Sequence, residues 1–238
     1  FGEYHHLNLT AAPRITSVSS GEEALELLKK KQFQMVISMI RINDMTPFEL
    51  SRQIHEIRPQ LPILLLLNDN SDLRLIYEKD EELRHFDQVF VWNGDPKVFL
   101  AMIKFVEDQK NVENDTRIGM VRVILLVEDS IRYYSRYLPI LYSEIMRQTQ
   151  ALITEEKMDE TKKVLRMRAR PKVLLATSYE DATELLREYK DALLCVISDV
   201  KYPKDGIKEE TAGLQLIRYV KQNIEDLPTL LQSSDQHN

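Results

Sequence analysis

Three acidic side chains stand at the ends of apolar runs in the C-terminal half of the chain. Glu128-Asp129 closes the run Val121 to Val127, Asp199 follows Leu193 to Ser198, and the hydroxyl pair Ser233-Ser234 follows Pro228 to Gln232. In a parallel α/β sheet, function collects at the carboxyl ends of the strands, near the switch in strand order. If the first of these strands lies beside the second, Glu128, Asp129 and Asp199 converge. Three anions that close repel one another and cannot all stay ionised without compensation. A divalent cation removes the conflict, and Mg²⁺ takes one or two carboxylates plus waters while leaving room for phosphate oxygens. Asp199 would then be the nucleophile of a phosphoryl transfer that forms an acyl phosphate. The metal would neutralise charge on the in-line transition state. The Ser233 hydroxyl could bond a phosphoryl oxygen and so report occupancy. Blander roles exist for each residue alone: Glu128-Asp129 as a helix cap, Asp199 as a turn residue before Pro203, Ser233 as a surface hydroxyl. Their joint order and shared strand-end position favour a site.

The elements that must position these residues read as alternating strands and helices. Val121 to Val127, Lys172 to Thr177, Leu193 to Val200 and Pro228 to Gln232 are apolar strands, and Tyr179 to Tyr189 and Gly213 to Asn223 are helices. Continuous apolar strands fit a parallel sheet covered on both faces. After Asp129-Ser130, apolar residues at Ile131, Tyr134, Leu138, Leu141, Tyr142, Ile145 and Met146 follow helical spacing, with Pro139 a possible kink. Helical composition continues through residues 147–170 and ends in a basic run, Lys162 to Arg170, which reads as a solvated face. The tyrosines Tyr133, Tyr134, Tyr137 and Tyr142 read as packing.

The N-terminal half repeats this pattern. Ser19 to Leu28 lines up with Thr177 to Leu186, six of the ten positions being identical. Val36-Ile37-Ser38-Met39-Ile40 matches Val196-Ile197-Ser198-Asp199-Val200, and Leu61-Pro62-Ile63-Leu64-Leu65 matches Leu227-Pro228-Thr229-Leu230-Leu231. Three matches in one order indicate a duplicated domain. The expected elements of the first copy are a weak strand Arg14 to Val18, a helix capped by Ser20 with Glu23 three residues on, a strand Gln34 to Ile40 and a helix Pro47 to Ile57. A strand Pro62 to Leu67, a helix Leu73 to Leu83, a strand Val89 to Trp92 and a helix Lys97 to Lys110 follow. The expected organisation is a first domain at 1–110, a polar linker at 111–119 and a second domain at 120–238 with a helical insertion at about 145–170. In the first copy the position of Asp199 holds Met39.

These residues carry a resemblance. Val127-Glu128-Asp129-Ser130, Ile197-Ser198-Asp199-Val200 with Pro203 and Gly206, and Pro228 to Ser234 resemble a response-regulator receiver domain over most of residues 121–238. The resemblance implies two flavodoxin-like, doubly wound α/β domains in tandem. It implies Mg²⁺ on Glu128, Asp129 and Asp199, with the backbone carbonyl of Lys201 as a further ligand. It implies phosphoryl acceptance on Asp199, a switch hydroxyl at Ser233, and a histidine kinase or phosphotransfer protein as donor. The family's lysine at the end of strand five would lie beyond Asn238, so this chain carries neither that strand nor the last helix. The loop Lys201 to Thr211 is longer than the family's. The helical insertion implies a partner or homodimer contact. In the first copy the acceptor, switch and lysine positions hold Met39, Leu67 and Trp92, which implies a pseudo-receiver with a filled pocket. The pair is also similar to receiver-like domains ahead of phosphoenolpyruvate-synthase-like enzymes, although nothing in residues 1–238 supplies such catalysis.

Bulk properties bound the rest. A net charge of −6 with interspersed signs excludes a basic stripe, so no nucleic-acid partner is expected. No apolar run is long enough to span a membrane, and the lone Cys195, read as a buried hydrophobe, fits a reducing, cytoplasmic setting. The start at Phe1 reads as a piece of something longer; this piece reads as regulatory rather than enzymatic, with any catalytic domain outside it. His5-His6 has no third ligand nearby, and His55 and His85 read as surface residues. Two other functions stay open. One is a structural interaction module with both copies silent. The other is a Mg²⁺-dependent phosphatase, which Lys201 disfavours because it stands where such enzymes carry a second acid.

Overall fold

The computed structural model describes residues 13–77, 80–155 and 169–233 and divides the chain into two compact units, 1–102 and 103–238. Both are parallel α/β units, an arrangement compatible with a flavodoxin-like fold.

In the first unit, helix α1 (Gly21–Lys30) leads to strand β1 (Val36–Met39), helix α2 (Pro47–Ile57) and strand β2 (Ile63–Leu67). Two short helices, α3 (Leu73–Tyr77) and α4 (Asp80–Leu83), precede strand β3 (Gln88–Val91). The strands form a parallel sheet in the order β1-β2-β3. Every residue of β2 is buried, as its unbroken Ile-Leu run requires at the centre of a sheet. Ser20 caps α1 by accepting from the Glu23 amide at 3.2 Å, and Glu23 reaches back to the Ser19 amide, so the capping box closes one residue early. Residues 13–18 form no regular element, which corrects the expected strand at Arg14 to Val18. Of the helix expected over Leu73 to Leu83, residues 73–77 and 80–83 are helical, and 78–79 lie outside the described residues.

Helix α5 (Lys97–Gly119) begins in the first unit and ends in the second. The segment 111–119, read as a polar linker, is its last turns. Polarity there marks a solvated helix face rather than coil.

The second unit continues with strand β4 (Val123–Val127), helix α6 (Ile131–Glu155) with Pro139 inside it, strand β5 (Lys172–Ala176) and helix α7 (Tyr179–Glu188). Strand β6 (Leu193–Asp199), a hairpin of β7 (Tyr202–Lys204) and β8 (Ile207–Glu209), helix α8 (Ala212–Asn223) and strand β9 (Thr229–Gln232) follow. The parallel sheet has the order β5-β4-β6-β9. Its first strand is therefore next to its third, and strand order switches between the exits of β4 and β6. A core of Leu125, Val127, Leu174, Leu186, Val196, Leu216 and Val220 fills one face, with Val112 of α5 added to it. Tyr134 and Tyr142 of α6 are fully buried, as packing required, whereas Tyr133 and Tyr137 stack on each other. Half of the insertion expected at 145–170, residues 156–168, lies outside the described residues. Arg170, at the end of the basic run, is buried rather than solvated. It makes a two-pronged pair with Asp108 of α5 at 2.7 and 3.1 Å.

The three segments that repeat in sequence occupy like positions in the two units. Both cassettes form ten-residue helices capped by a serine, Ser20 for α1 and Ser178 for α7. Val36 pairs with Ile63, and Val196 with Thr229, so the repeat aligns the strand registers as well as the residues. The amide of Val36 donates to the Pro62 carbonyl at 2.8 Å, and that of Val196 to the Pro228 carbonyl at 3.0 Å.

Candidate functional site

Strand β4 ends at Val127 and delivers Glu128 and Asp129, while its neighbour β6 ends on Asp199. Val127 is paired with Ser198 in the ladder, so the acids leave adjacent strands at the same height. One carboxylate oxygen from each of Glu128, Asp129 and Asp199 lies within 4.8 Å of the others. Ser233 is exposed one residue past β9, whose Gln232 pairs with Asp199. Strand β9 thus brings this hydroxyl-bearing residue to the same sheet edge; Ser234 lies outside the described residues. Lys201 divides its groups: its amide donates to Asp199 Oδ2 at 3.4 Å, and its ammonium pairs with Glu210 at 2.6 Å.

The acids are sequestered and mutually repulsive. Glu128 is 1% exposed and Asp199 6%. Burial pushes the Glu128 carboxyl up to about 7; the neighbouring Asp199 and Asp129 charges push the same way, against the Ser130 amide and Lys208. Asp199 is likewise raised by burial, while the amides of Val200 and Lys201 hold it back. Tyr137 of α6 is raised by burial and then by Glu128 and Asp199. Asp129 Oδ1 is buried with no hydrogen-bond partner among the described residues. A buried, unsatisfied carboxylate oxygen beside two other acids costs free energy unless a cation meets it. The donor set is three hard oxygens, which suits Mg²⁺ rather than a softer metal.

Two supporting residues were not foreseen. Gly213 closes α8 onto the end of β6: a Cβ there would lie 2.0 Å from the Asp199 carbonyl oxygen. The Gly213 amide donates to Val200 at 3.0 Å, so α8 and the end of β6 abut through a position open only to glycine. The other is Lys208 of β8, whose ammonium lies 3.1 Å from Asp129 Oδ2. The Lys204-Asp205-Gly206-Ile207 turn had announced this hairpin. Asp205 and Gly206 both take positive φ, 52° and 75°, as a two-residue turn between paired Lys204 and Ile207 demands.

The equivalent strand ends of the first unit are different. Met39 ends β1 and is 40% exposed. Leu67 is fully buried, and Trp92 rests against Phe99 at 5.5 Å between ring centres. Arg41, just past β1, pairs with the buried Asp72 at 2.8 Å, and Asp72 also accepts from the Asn68 amide. Of the remaining sequence candidates, Cys195 is half-buried rather than buried, and its thiol is pushed up by that burial. His55 bonds the backbone carbonyl of His85 at 2.9 Å and does not join a metal cluster. His5-His6 lies outside the described residues. No helix among the described residues is long and apolar enough to cross a membrane.

No family model matches the chain, and no curated protein matches it significantly.

Proposed function

We propose that the second unit is a receiver that accepts a phosphoryl group on Asp199 from a histidine kinase or phosphotransfer protein. The first unit is then a non-phosphorylatable partner within one signalling chain. The observation that carries this reading is the convergence of Glu128, Asp129 and Asp199 at the switch between adjacent strands β4 and β6. The shared register of the repeated segments supports two copies of one ancestor, with chemistry kept in the second.

In the proposed step an Asp199 carboxylate oxygen attacks the donor's phosphorus. The new bond is Asp199 Oδ–P, and the bond to the donor breaks with its electron pair leaving on the donor atom. The residues do three things. Glu128 and Asp129 hold the cation beside the acceptor, with the Lys201 carbonyl as the further ligand the receiver reading assigns. The amides of Val200 and Lys201 favour the ionised, nucleophilic form of Asp199. Ser233 stands past β9 to meet a phosphoryl oxygen and pass occupancy to the surface around β9. Mg²⁺, when bound, neutralises charge on the oxygens in flight.

The test is intact-mass spectrometry of the full chain after incubation with acetyl phosphate and Mg²⁺. A gain of one phosphoryl mass, absent in Asp199→Ala and after EDTA, is expected. No adduct together with no Mg²⁺ binding would favour a purely structural module.

A further inference from the structure

The hairpin after Asp199 places a lysine on the acidic site, and nothing in the phosphoryl-transfer scheme uses it. Its base is firmly held. Tyr202 is fully buried with its hydroxyl on Ser198, Lys204 bonds Gln215 at 2.6 Å and lies over the Tyr179 ring, and the Asp205 amide donates to Glu180 at 3.1 Å. The returning strand is the free side: Ile207 is 73% exposed and the Lys208 side chain 58%. From this anchored arm Lys208 reaches back over the site and rests on Asp129 Oδ2.

We infer that Lys208 is a tethered counter-cation that sets the divalent-cation affinity of the site by competing for the same carboxylates. The inference rests on the reading of Glu128, Asp129 and Asp199 as a cation site. Three ionised carboxylates this close need compensating positive charge. Before a metal binds, Lys208 supplies part of it. A divalent ion that enters beside Asp129 stands next to a single positive charge already there, so each disfavours the other. A lysine that merely oriented Asp129 would act oppositely, since removing such an outer partner weakens metal binding by about 10–100-fold. Lys201 is poorly placed for the competing role, because its ammonium is drawn to Glu210.

Calorimetric titration of the full chain with Mg²⁺ alone reads this directly. Lys208→Gln should bind about tenfold more tightly than the wild type, a change of about 1.4 kcal/mol. Lys208→Arg should stay near the wild type, and Asp129→Asn should lose most binding. A second readout is modification of lysine amines by an acylating reagent, mapped by mass spectrometry: Mg²⁺ should raise labelling of Lys208 severalfold and leave Lys204 unchanged. Equal or weaker binding by Lys208→Gln, with the wild type still binding, overturns the competition and leaves the cation site standing. An absence of binding in both chains, each folded by circular dichroism, overturns the cation site itself and the competition with it.

Discussion

The two units place strands in the same register and finish them with opposite chemistry. In the second, adjacent strands end in Glu128-Asp129 and Asp199; Glu128 and Asp199 are buried, and Asp129 meets the Lys208 ammonium of the neighbouring hairpin. In the first, Met39 stands at the position that matches Asp199, Leu67 ends and Trp92 follows the next two strands, and the nearby acid, Asp72, is matched by Arg41. On the proposed reading, a site that holds a doubly charged ion and a phosphoryl group is unfavourable while empty. Once that chemistry is not required, apolar residues and a matched ion pair restore the lost stability. The comparison teaches that the strand scaffold tolerates either ending, and that function sits in a few side chains placed on it.

The largest expected effect comes from the second unit's other buried charges. Asp108 of α5 is fully buried and serves Arg170, Lys172 at 3.7 Å and the backbone amide of Val173 at 2.8 Å. Val173 belongs to β5, an edge strand, so one carboxylate satisfies Arg170 and an otherwise open edge amide, while Lys172 has its nearer partner in Asp115 at 2.7 Å. Breaking a buried pair by removing one partner costs about 3–5 kcal/mol, because the other charge is left uncompensated. Asp108→Ala should therefore unfold the second unit well before the first. Trp92, the chain's sole tryptophan, follows the first unit, so its fluorescence transition should separate from the transition seen by circular dichroism. Coincident transitions in the variant would show that the units do not unfold separately.

A smaller effect separates the units by pH. Glu128 in the folded protein titrates at about 7, above its ordinary 4.5. The folded state therefore binds more protons than the unfolded state between those values, and stability falls as pH rises through that window. The groups that face Glu128 are Asp129, Asp199, Lys208 and Tyr137. The metal-free second unit should lose on the order of 1–2 kcal/mol between pH 5 and 7, and Glu128→Gln should flatten the profile. Mg²⁺ affinity should run the other way and weaken below pH 7, where a proton holds the carboxylate. The first unit, followed by Trp92, should show neither trend. Denaturant titrations at several pH values decide it.

How much of this was legible in the sequence depends on the range of the signal. The unbroken apolar strands, the serine caps at Ser20 and Ser178, and the acids at strand ends are local patterns, and each stands where it was read. The short alternation at Arg14 to Val18 lacked a partner strand to make it β. Residues 111–119 were polar enough to read as linker, yet Val112 gives that helix a buried stripe. The Asp205-Gly206 turn was a hairpin signal in plain view. What no local pattern shows is pairing across distance: Asp108 with Arg170, 62 positions apart, and Asp129 with Lys208, 79 apart.

The smallest effect is the reciprocal exchange at the acceptor position. Asp199→Met removes one of three crowded carboxylates but seats a longer side chain, so it should change the metal-free second unit by no more than about 1 kcal/mol. Met39→Asp should change the first unit by less than about 0.5 kcal/mol, because that position is 40% exposed and a surface change far from a buried network costs little. It should also leave the first unit unphosphorylated. A new carboxylate at Met39 would meet buried Leu67 on the next strand and Arg41 beyond its own, and Arg41 is already committed to Asp72. Chemical denaturation of both variants, with acetyl phosphate labelling of Met39→Asp in an Asp199→Ala background, tests the pair. A phosphoryl adduct on residue 39 would mean that the first unit lost only its acceptor, not its site. The contrast between the two strand ends would then reduce to one substitution.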